Sequence, residues 1–349
     1  MVKLQERRFE KRIIGYIRPN FYHMIFKKLG LTALLAVVLV GLSSWGFLVH
    51  RTINQLAIYN LPAPLQSYFH SDMKYLVENA PRPDIRRNTD KTEDTKHFID
   101  LEMFGPNAAN EMPMDWESAV KKYTADSLKK YGWGPYNAIM QLEHLTNAFK
   151  SKNKDSILFY AADLGHYIGD LHVPLHSTTN YDGQLTGQKG IHGLWESFIP
   201  ELRTSQYELY NKHKATYLKH PAQSLWKDIR LAHALLPEMF AKETALTARF
   251  NNETKYKVQS RNGKEFKVYS KEFAEAYATE LGPTINGQLI ASANMIADFW
   301  YTAWVNAGKP DLGNTRGMSQ ELEAELKSYK SNELINNNLL LSKKIKFQD

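Results

Sequence analysis

The sequence predicts an all-α fold, and two observations support this. From residue 45 onward, apolar residues recur mostly at helical spacing, and prolines and an aspartate stand where helices begin. A single stretch, 256–269, instead alternates apolar and polar residues around an Asn-Gly pair, which predicts a small β-hairpin. At 349 residues, 43% of them hydrophobic, the chain can bury the core of one large domain or of two smaller ones.

Helix boundaries follow from proline, glycine and capping residues. Pro64 and Pro135 are suited to the first turn of a helix, and Asp115 is suited to an N-cap. Helices are expected over 45–60, 64–79, 115–132 and 135–150, from 155 into the following apolar run, and over 205–217, 221–249 and 284–307. Residues 81–96 are expected to form a charged loop, and the polar segment 308–349 a peripheral tail.

The first 44 residues are expected to be a leader that is removed on export. A basic pair precedes the apolar run 29–41, and small residues follow up to Ser44, as in a secretory signal peptide. The preceding charged residues make the n-region unusually long, and a translation start at Met24 would give a conventional one. The alternative is an uncleaved membrane anchor, because the apolar character continues to Val49, long enough to span a bilayer.

The basic character of the chain is confined to this leader. The formal net charge is +7, but residues 1–44 hold eight lysines and arginines against two acidic residues, which leaves 36 against 35 in the remainder. The remainder therefore offers no general polyanion-binding patch. The chain contains no cysteine, which excludes disulfides and thiolate ligands, so a metal site must use His, Asp and Glu.

The segment 161–176 carries the strongest functional signal. It places His166 and Asp170 four residues apart, on the same face of the predicted helix. Pro174 cannot continue the helix interior, so His176 is expected to turn out of register with them. Imidazole and carboxylate groups arranged in this way suit a divalent cation, zinc in particular. The alternative is a buried polar cluster that is satisfied by hydrogen bonds alone.

Further residues can complete such a site. His192 and Glu196 repeat the four-residue spacing, and His50 lies on the first predicted helix. Asp84 and His97 lie within and just after the charged loop. Taken singly, each of these histidines is more often a core or surface residue than a ligand. Their number, beside one segment so rich in ligand types, favours metal binding.

Two motifs point to a known group of enzymes: His-x-x-x-Asp-x-His-x-Pro-x-His at 166–176 and His-x-x-x-Glu at 192–196. With them the chain resembles the superfamily of zinc-dependent phospholipases C and S1/P1-type single-strand nucleases. The resemblance spans about 45 to 305 and implies one large helical zinc-dependent phosphoesterase domain, 45–307. In this superfamily the amine and carbonyl of an N-terminal tryptophan bind zinc. Trp45, the first residue after the expected cleavage site, matches that tryptophan.

The resemblance implies three zinc ions and assigns their ligands. It implies a first zinc held by Asp84, His97, His166 and Asp170, a second by Trp45, His50 and Asp170, and a third by His176, His192 and Glu196. Asp170 thus bridges two zincs, and open positions remain for water and phosphate, as a catalytic site requires. Each ligand histidine needs an acceptor for its other nitrogen, and Asp163 is a candidate. His172 is expected to support the site without binding metal.

The resemblance also implies a mechanism and substrate contacts. A zinc-bound hydroxide, held between the two zincs that share Asp170, would attack phosphorus in line. Asp100 is expected to orient or deprotonate that water. Phe98 matches a base-stacking aromatic, and Ser197 occupies the position of a base-binding asparagine. Arg87 stands where the nucleases place a cation against phosphate, although an ordinary ion pair explains it equally well.

These features predict an exported trinuclear zinc phosphodiesterase, a nuclease acting on single-stranded DNA, RNA or nucleotides. The short spacing from Trp45 to His50 and the presence of Phe98 favour the nucleases. Glu196, in place of the nucleases' aspartate, favours the alternative of a phospholipase C acting on phospholipid head groups. A further alternative, if the leader is retained, is a non-enzymatic, membrane-anchored zinc-binding protein. No obligate protein partner is inferred.

Overall fold

The computed structural model describes residues 46–261, 264–313 and 318–345. The expected leader 1–44, the start at Met24 and Trp45 lie outside these residues. The described residues are mainly α-helical and belong to one compact unit, so the all-α prediction is confirmed. No described helix is both long and apolar enough to cross a membrane.

The first half of the domain is a series of helices joined by short connections. They are α1 (Phe47–Tyr59), α2 (Ala63–Ser71), α3 (Met73–Asn79), α4 (Arg82–Arg86), α5 (Ala108–Glu111), α6 (Trp116–Tyr123), α7 (Ala125–Tyr131), α8 (Gly134–Ser151) and α9 (Lys154–Asp170). Single 3-10 turns occupy Asp94–Lys96, Leu101–Phe104 and Pro174–Ser177.

The second half contains the hairpin and one long helix. Its elements are α10 (Ile191–Gly193), a π-helical turn (Leu194–Phe198), α11 (Ile199–Arg203), a 3-10 turn (Thr204–Gln206), α12 (Pro221–His233), α13 (Leu236–Thr247), α14 (Asn252–Lys255), β1 (Tyr256–Arg261), β2 (Lys264–Tyr269), α15 (Lys271–Leu281), α16 (Thr284–Asn306), α17 (Gln320–Lys330) and α18 (Leu341–Lys344). The predicted hairpin is confirmed, because β1 and β2 pair antiparallel with Tyr256 opposite Tyr269.

Helix α9 lies at the centre of the domain, where it packs on α1, α8 and α16. These helices bury a large apolar cluster that includes Ala161 and Trp300. A second apolar cluster, with Trp195 and Phe273, lies among the π-helical turn, α13 and α15. Because Ala161 belongs to the first cluster and Leu175 to the second, the segment 161–176 crosses from one to the other.

Two glycines on α9 allow α1 to approach it closely. A Cβ atom at Gly165 would overlap the amide of Asn54. A Cβ atom at Gly169 would lie 2.6 Å from Ile53 Cδ1 and 3.1 Å from His50 Nδ1. Real Cβ atoms do not approach other atoms this closely in packed interiors, so only glycine fits without displacement. These glycines directly precede the two expected metal ligands of α9.

Several predicted boundaries were wrong because local chemistry interrupts the helices. Three predicted helices are each divided in two, near Asp72, Thr124 and Ala234. Thr124 has a φ of 68°, and its hydroxyl caps the helix that follows. Pro237 stands in the first turn of α13, where its missing N–H prevents a continuous helix. The predicted loop 81–96 contains the short helix α4.

The helix predicted over 205–217 was also wrong, because distant side chains bind its backbone. Asp298 Oδ1 on α16 accepts a 2.7 Å hydrogen bond from the Thr216 amide. Asn332 Oδ1 accepts a 2.7 Å bond from the Leu209 amide. These long-range hydrogen bonds satisfy backbone amides of the segment without a helix. They therefore outweigh its local helical preference.

In its described part, the segment after 308 is integrated into the domain, which corrects the expectation of a peripheral tail. Gln55 Nε2 on α1 donates a 2.8 Å hydrogen bond to the Leu339 carbonyl, and Gln55 Oε1 accepts one of 2.8 Å from the Leu341 amide. The Tyr59 hydroxyl donates a 2.9 Å bond to Glu325 on α17. The composition of this segment is polar, but Leu322, Leu326, Tyr329, Leu334 and Leu340 are buried in the main apolar cluster.

Candidate metal centre

The four side chains expected to hold the first zinc, here called the first group, converge at the C-terminal end of α9. They are Asp84, His97, His166 and Asp170. His97 Nδ1 lies 2.7 Å, and His166 Nε2 3.2 Å, from Asp170 Oδ2. Asp84 Oδ1 lies 3.7 Å from both histidine nitrogens. Atoms bound to one tetrahedral zinc stand about 3.3 Å apart, so this spacing fits a zinc site.

A second group forms around His50 on α1. His50 Nε2 lies 3.3 Å from Asp170 Oδ1 and 3.8 Å from Glu196 Oε1. Trp45, the remaining expected ligand, lies outside the described residues. Its neighbour Gly46 packs against this group, because a Cβ atom there would be 3.1 Å from Glu196 Oε1. Gly46, the first described residue, therefore lies beside the second group.

The third group consists of His176, His192 and Glu196. Glu196 Oε2 lies 2.6 Å from His192 Nε2 and 3.4 Å from His176 Nε2. Glu196 lies in the π-helical turn, a local widening of the helix that is common at functional sites. His176 Nδ1 donates a 2.8 Å hydrogen bond to the His97 carbonyl, which leaves Nε2 free to bind a metal.

The electrostatics of the three groups favour bound cations. Burial alone would raise the pKa of Asp170, but His166 and His176 overcome this and hold it well below its usual range. Burial would likewise lower the pKa of His50, but hydrogen bonding to Asp170 and Glu196 raises it to about 10. A negative potential that retains a proton so firmly also attracts a divalent cation. Three sets of side chains each place their ligand atoms within 4.8 Å of one another and can hold a metal ion: His97, His166 and Asp170; His50, Asp170 and Glu196; and His176, His192 and Glu196. Asp84 forms a further set of this kind with His50 and His166.

The comparison with protein families agrees with this geometry. A family model of S1/P1 nucleases matches residues 45–299, which is most of the chain. The chain belongs to the S1/P1 nuclease family. S1/P1 nucleases are zinc enzymes that hydrolyse phosphodiester bonds, so the resemblance identified from the two motifs is confirmed. Among curated proteins, no sequence matches this chain.

In this S1/P1 nuclease, a buried glutamate that sequence reasoning missed lies behind His97. Glu93 is fully buried and accepts hydrogen bonds from Arg86 Nε at 2.9 Å, from Lys96 Nζ at 2.8 Å, and from the Tyr167 hydroxyl. Its Oε1 lies 3.7 Å from His97 Nε2. This charge favours a proton on Nε2, which leaves the Nδ1 lone pair directed at the first group. The four-residue spacing from Glu93 to His97 was the available signal.

Replacing Glu93 with glutamine is expected to weaken zinc binding at the first group by about 10–100-fold, the usual effect of removing an outer-shell carboxylate. Competition with a chromophoric chelator measures this affinity. The matched control is Glu243→Gln, which removes another buried carboxylate, 2.7 Å from Lys255, that belongs to none of the three groups. Both variants should lose stability, and only the Glu93 variant should lose zinc affinity. Equal zinc affinity in the two variants would remove Glu93 from this role.

The two residues expected to support the metal ligands, Asp163 and His172, contact other parts of the protein. Asp163 does not hold a ligand histidine; it pairs with Arg82 Nη2 at 2.6 Å and with Arg86 Nη2 at 3.0 Å. Asp163 therefore acts on the first group only through Arg86, which also binds Glu93. His172 Nε2 lies 3.3 Å from Asp228, and its Nδ1 donates to the backbone of α9, so it anchors the bend to α12. The contact with a ligand histidine suggested for Asp163 is therefore absent, whereas His172 can support the site through this bend.

Of the expected catalytic and substrate residues, Arg87 contacts the first group, and Phe98 and Ser197 each follow an expected ligand in the sequence. Arg87 is ion-paired, with Nη2 2.6 Å from Asp94 and Nη1 3.4 Å from Asp84 of the first group. Phe98 is half-buried and packs against Gly132, where a Cβ atom would collide with it. Ser197 is only 5% exposed, which leaves little of it accessible to a substrate.

Proposed function

We propose that this S1/P1 nuclease is an exported trinuclear zinc phosphodiesterase that hydrolyses single-stranded DNA or RNA. The observation that supports it most is the convergence of three groups of buried and partly buried imidazole and carboxylate atoms around Asp170 and Glu196. Bound zinc would supply a water acidic enough to attack phosphorus near pH 7, together with Lewis-acid stabilisation of phosphate oxygens. A near-neutral domain can then attract phosphate without a basic surface.

The chain's own residues would position the reactants. Asp170 directs Oδ1 toward His50 and Oδ2 toward His97, which would fix the distance between the first two metal positions. Arg87, 42% exposed at its side chain and next to Asp84, is placed at the edge of the first group, where it can bind a phosphate oxygen. Its ion pairs with Asp84 and Asp94 would orient the guanidinium for that contact.

Asp100 is proposed as the residue that takes the proton from the attacking water. Burial, with a smaller contribution from Glu102, raises the pKa of Asp100 to about 6. A base is active when deprotonated, so kcat/KM is expected to rise with pH through about 6. Asp100→Asn should remove this limb and lower kcat by about 10²–10⁴-fold. The control is Glu201→Gln, because burial raises the pKa of Glu201 to about 7 without a proposed catalytic role.

A stability measurement separates this role from a structural one. The ordinary pKa of this carboxyl is 3.8, so between that value and about 6 the folded protein binds more protons than the unfolded chain. Stability should therefore fall as pH rises through this window, and Asp100→Asn should remove that fall. A variant that lost activity and became less stable at pH 8 would contradict the assignment.

Single-stranded nucleic acid is favoured over phospholipid by the aromatic surfaces near the groups. Phe98 follows the His97 ligand directly in sequence, and is half-buried. Tyr181 is 53% exposed and lies edge-on to the His192 ring, with the ring centroids 6.1 Å apart. Unstacked bases bind aromatic faces of this kind without sequence-specific hydrogen bonds.

The substrate proposal is tested by assaying the purified, zinc-loaded mature protein on three substrates: single-stranded DNA, RNA, and phosphatidylcholine vesicles. Release of nucleotides from one or both nucleic acids is expected. Release of diacylglycerol without nucleotides would show that the phospholipase C alternative is correct. Hydrolysis of none of the three would contradict a general phosphodiesterase.

The proposed export and processing of the leader are tested by sequencing the N-terminus of the secreted protein. A mature chain that begins at Trp45 would carry a free amine next to Gly46, beside the second group. A chain that begins earlier would lack that amine as a ligand. In that case the three-zinc assignment fails as stated, and the membrane-anchored alternative is favoured.

A further inference from the structure

The carboxylate of Glu196 lies between two of the metal groups and faces both. Its Oε2 lies 2.6 Å from His192 Nε2 and 3.4 Å from His176 Nε2, in the third group. Its Oε1 lies 3.8 Å from His50 Nε2, in the second group. Asp170 divides its oxygens in the same way, with Oδ1 toward His50 and Oδ2 toward the first group. Each of the two carboxylates therefore directs one oxygen at His50 Nε2 and the other at a different group.

Local structure explains why Glu196 can reach both groups. The π-helical turn widens the backbone at this residue, and the glutamate side chain is one methylene longer than an aspartate. The carboxylate is 12% exposed and packs under Gly46. An oxygen that turned away from His50 would leave this buried histidine with Asp170 and Asp84 as its acidic neighbours. The length of the side chain and the shape of the turn thus act together.

We propose that Glu196 is a second bridging ligand, with Oε2 on the third zinc and Oε1 on the second. This inference rests on the proposed trinuclear site and deepens it. The three metal positions would then be linked in a row by two carboxylates, Asp170 and Glu196. The second zinc would have His50, Asp170 and Glu196 as side-chain ligands, so its binding would depend less on the terminal amine. Occupancy of the second and third positions would be coupled.

Counting zinc in variants of the full mature chain tests this bridge. At fixed free zinc, the wild type is expected to hold about three ions and His192→Ala, which affects the third group alone, about two. Glu196→Ala is expected to hold about one, because it loses both the second and the third. Glu196→Asp, which is one methylene shorter, should keep the third ion and bind the second more weakly than the wild type does. Two ions retained by Glu196→Ala would overturn the bridge.

A measurement on the wild type decides the question if Glu196→Ala fails to fold. Diffraction at the zinc absorption edge locates each ion directly. The bridge predicts Glu196 Oε1 at about 2.0–2.2 Å from the second zinc. An Oε1 paired with the terminal amine, beyond bonding distance of that zinc, would overturn it.

The proposed function and the proposed bridge can be refuted separately. A wild type that binds no zinc and cleaves no phosphodiester would refute the proposed function itself. A wild type that binds three zincs and cleaves nucleic acid, with Glu196→Ala losing only one ion, would refute the bridge alone.

Discussion

Asp170→Ala is expected to remove two of the three zincs and nearly all hydrolytic activity. Its two oxygens face opposite groups: Oδ2 lies 2.7 Å from His97 Nδ1 and Oδ1 lies 3.3 Å from His50 Nε2. Each bound metal contributes several kcal/mol of charge stabilisation to the transition state, and about 1.4 kcal/mol corresponds to tenfold in rate. Losing two metals should therefore lower kcat/KM by about a thousandfold or more.

Metal analysis and single-strand hydrolysis on the same preparation measure this effect. Asp298→Ala is the matched control, because Asp298 is a buried aspartate 2.9 Å from a histidine, His213, that lies outside the three groups. The control should lose stability and keep its zinc. A full zinc load with normal turnover in Asp170→Ala would refute the assigned position of the metals.

Gly169→Ala is expected to destabilise the protein and to displace the second zinc. The new methyl group would stand 2.6 Å from Ile53 Cδ1 and 3.1 Å from His50 Nδ1, so α1 must move away from α9. Overpacking of this kind typically costs about 1–3 kcal/mol in the free energy of unfolding. The displacement would also carry His50 away from Asp170 and lower the zinc content by one ion.

Chemical denaturation and zinc analysis measure the two effects of Gly169→Ala. The matched control is Gly287→Ala on α16, because a Cβ atom there would have no neighbour within 4 Å. Helix propensity alone should make the control more stable, by up to about 1 kcal/mol. Equal stability and a full zinc content in both alanine variants would show that the close approach of α1 to α9 does not position the second group.

The fold was largely predictable because its main helices have strong periodic patterns and clear ends. Helices α1 and α16 begin and end within two residues of their expected positions, and α9, which carries His166 and Asp170, begins one residue from its own. The errors arose where long-range contacts dominate. Asp298 and Asn332 are far in sequence from the 205–217 segment that they bind, and no local pattern reveals them.

The candidate site was predictable where it depends on the spacing of residues that are close together in the sequence. The four-residue spacing of His166 and Asp170 follows directly from helix geometry. The role of Gly165 and Gly169 depends on which helix packs against them, and the two-sided position of Glu196 depends on a π-helical turn. Neither can be deduced from spacing. The closeness of Trp45 to the groups was expected only from the family resemblance, and it stays a prediction.

Stepwise addition of zinc to the metal-free mature protein tests the central claim most directly. Zinc content and hydrolysis of single-stranded DNA should be followed in the same samples, with a chelator added at the end. Hydrolysis is expected to appear as zinc approaches about three ions per chain, to disappear with the chelator, and to return with fresh zinc. Full hydrolysis by the metal-free protein, or none by the fully loaded one, would contradict a trinuclear zinc nuclease.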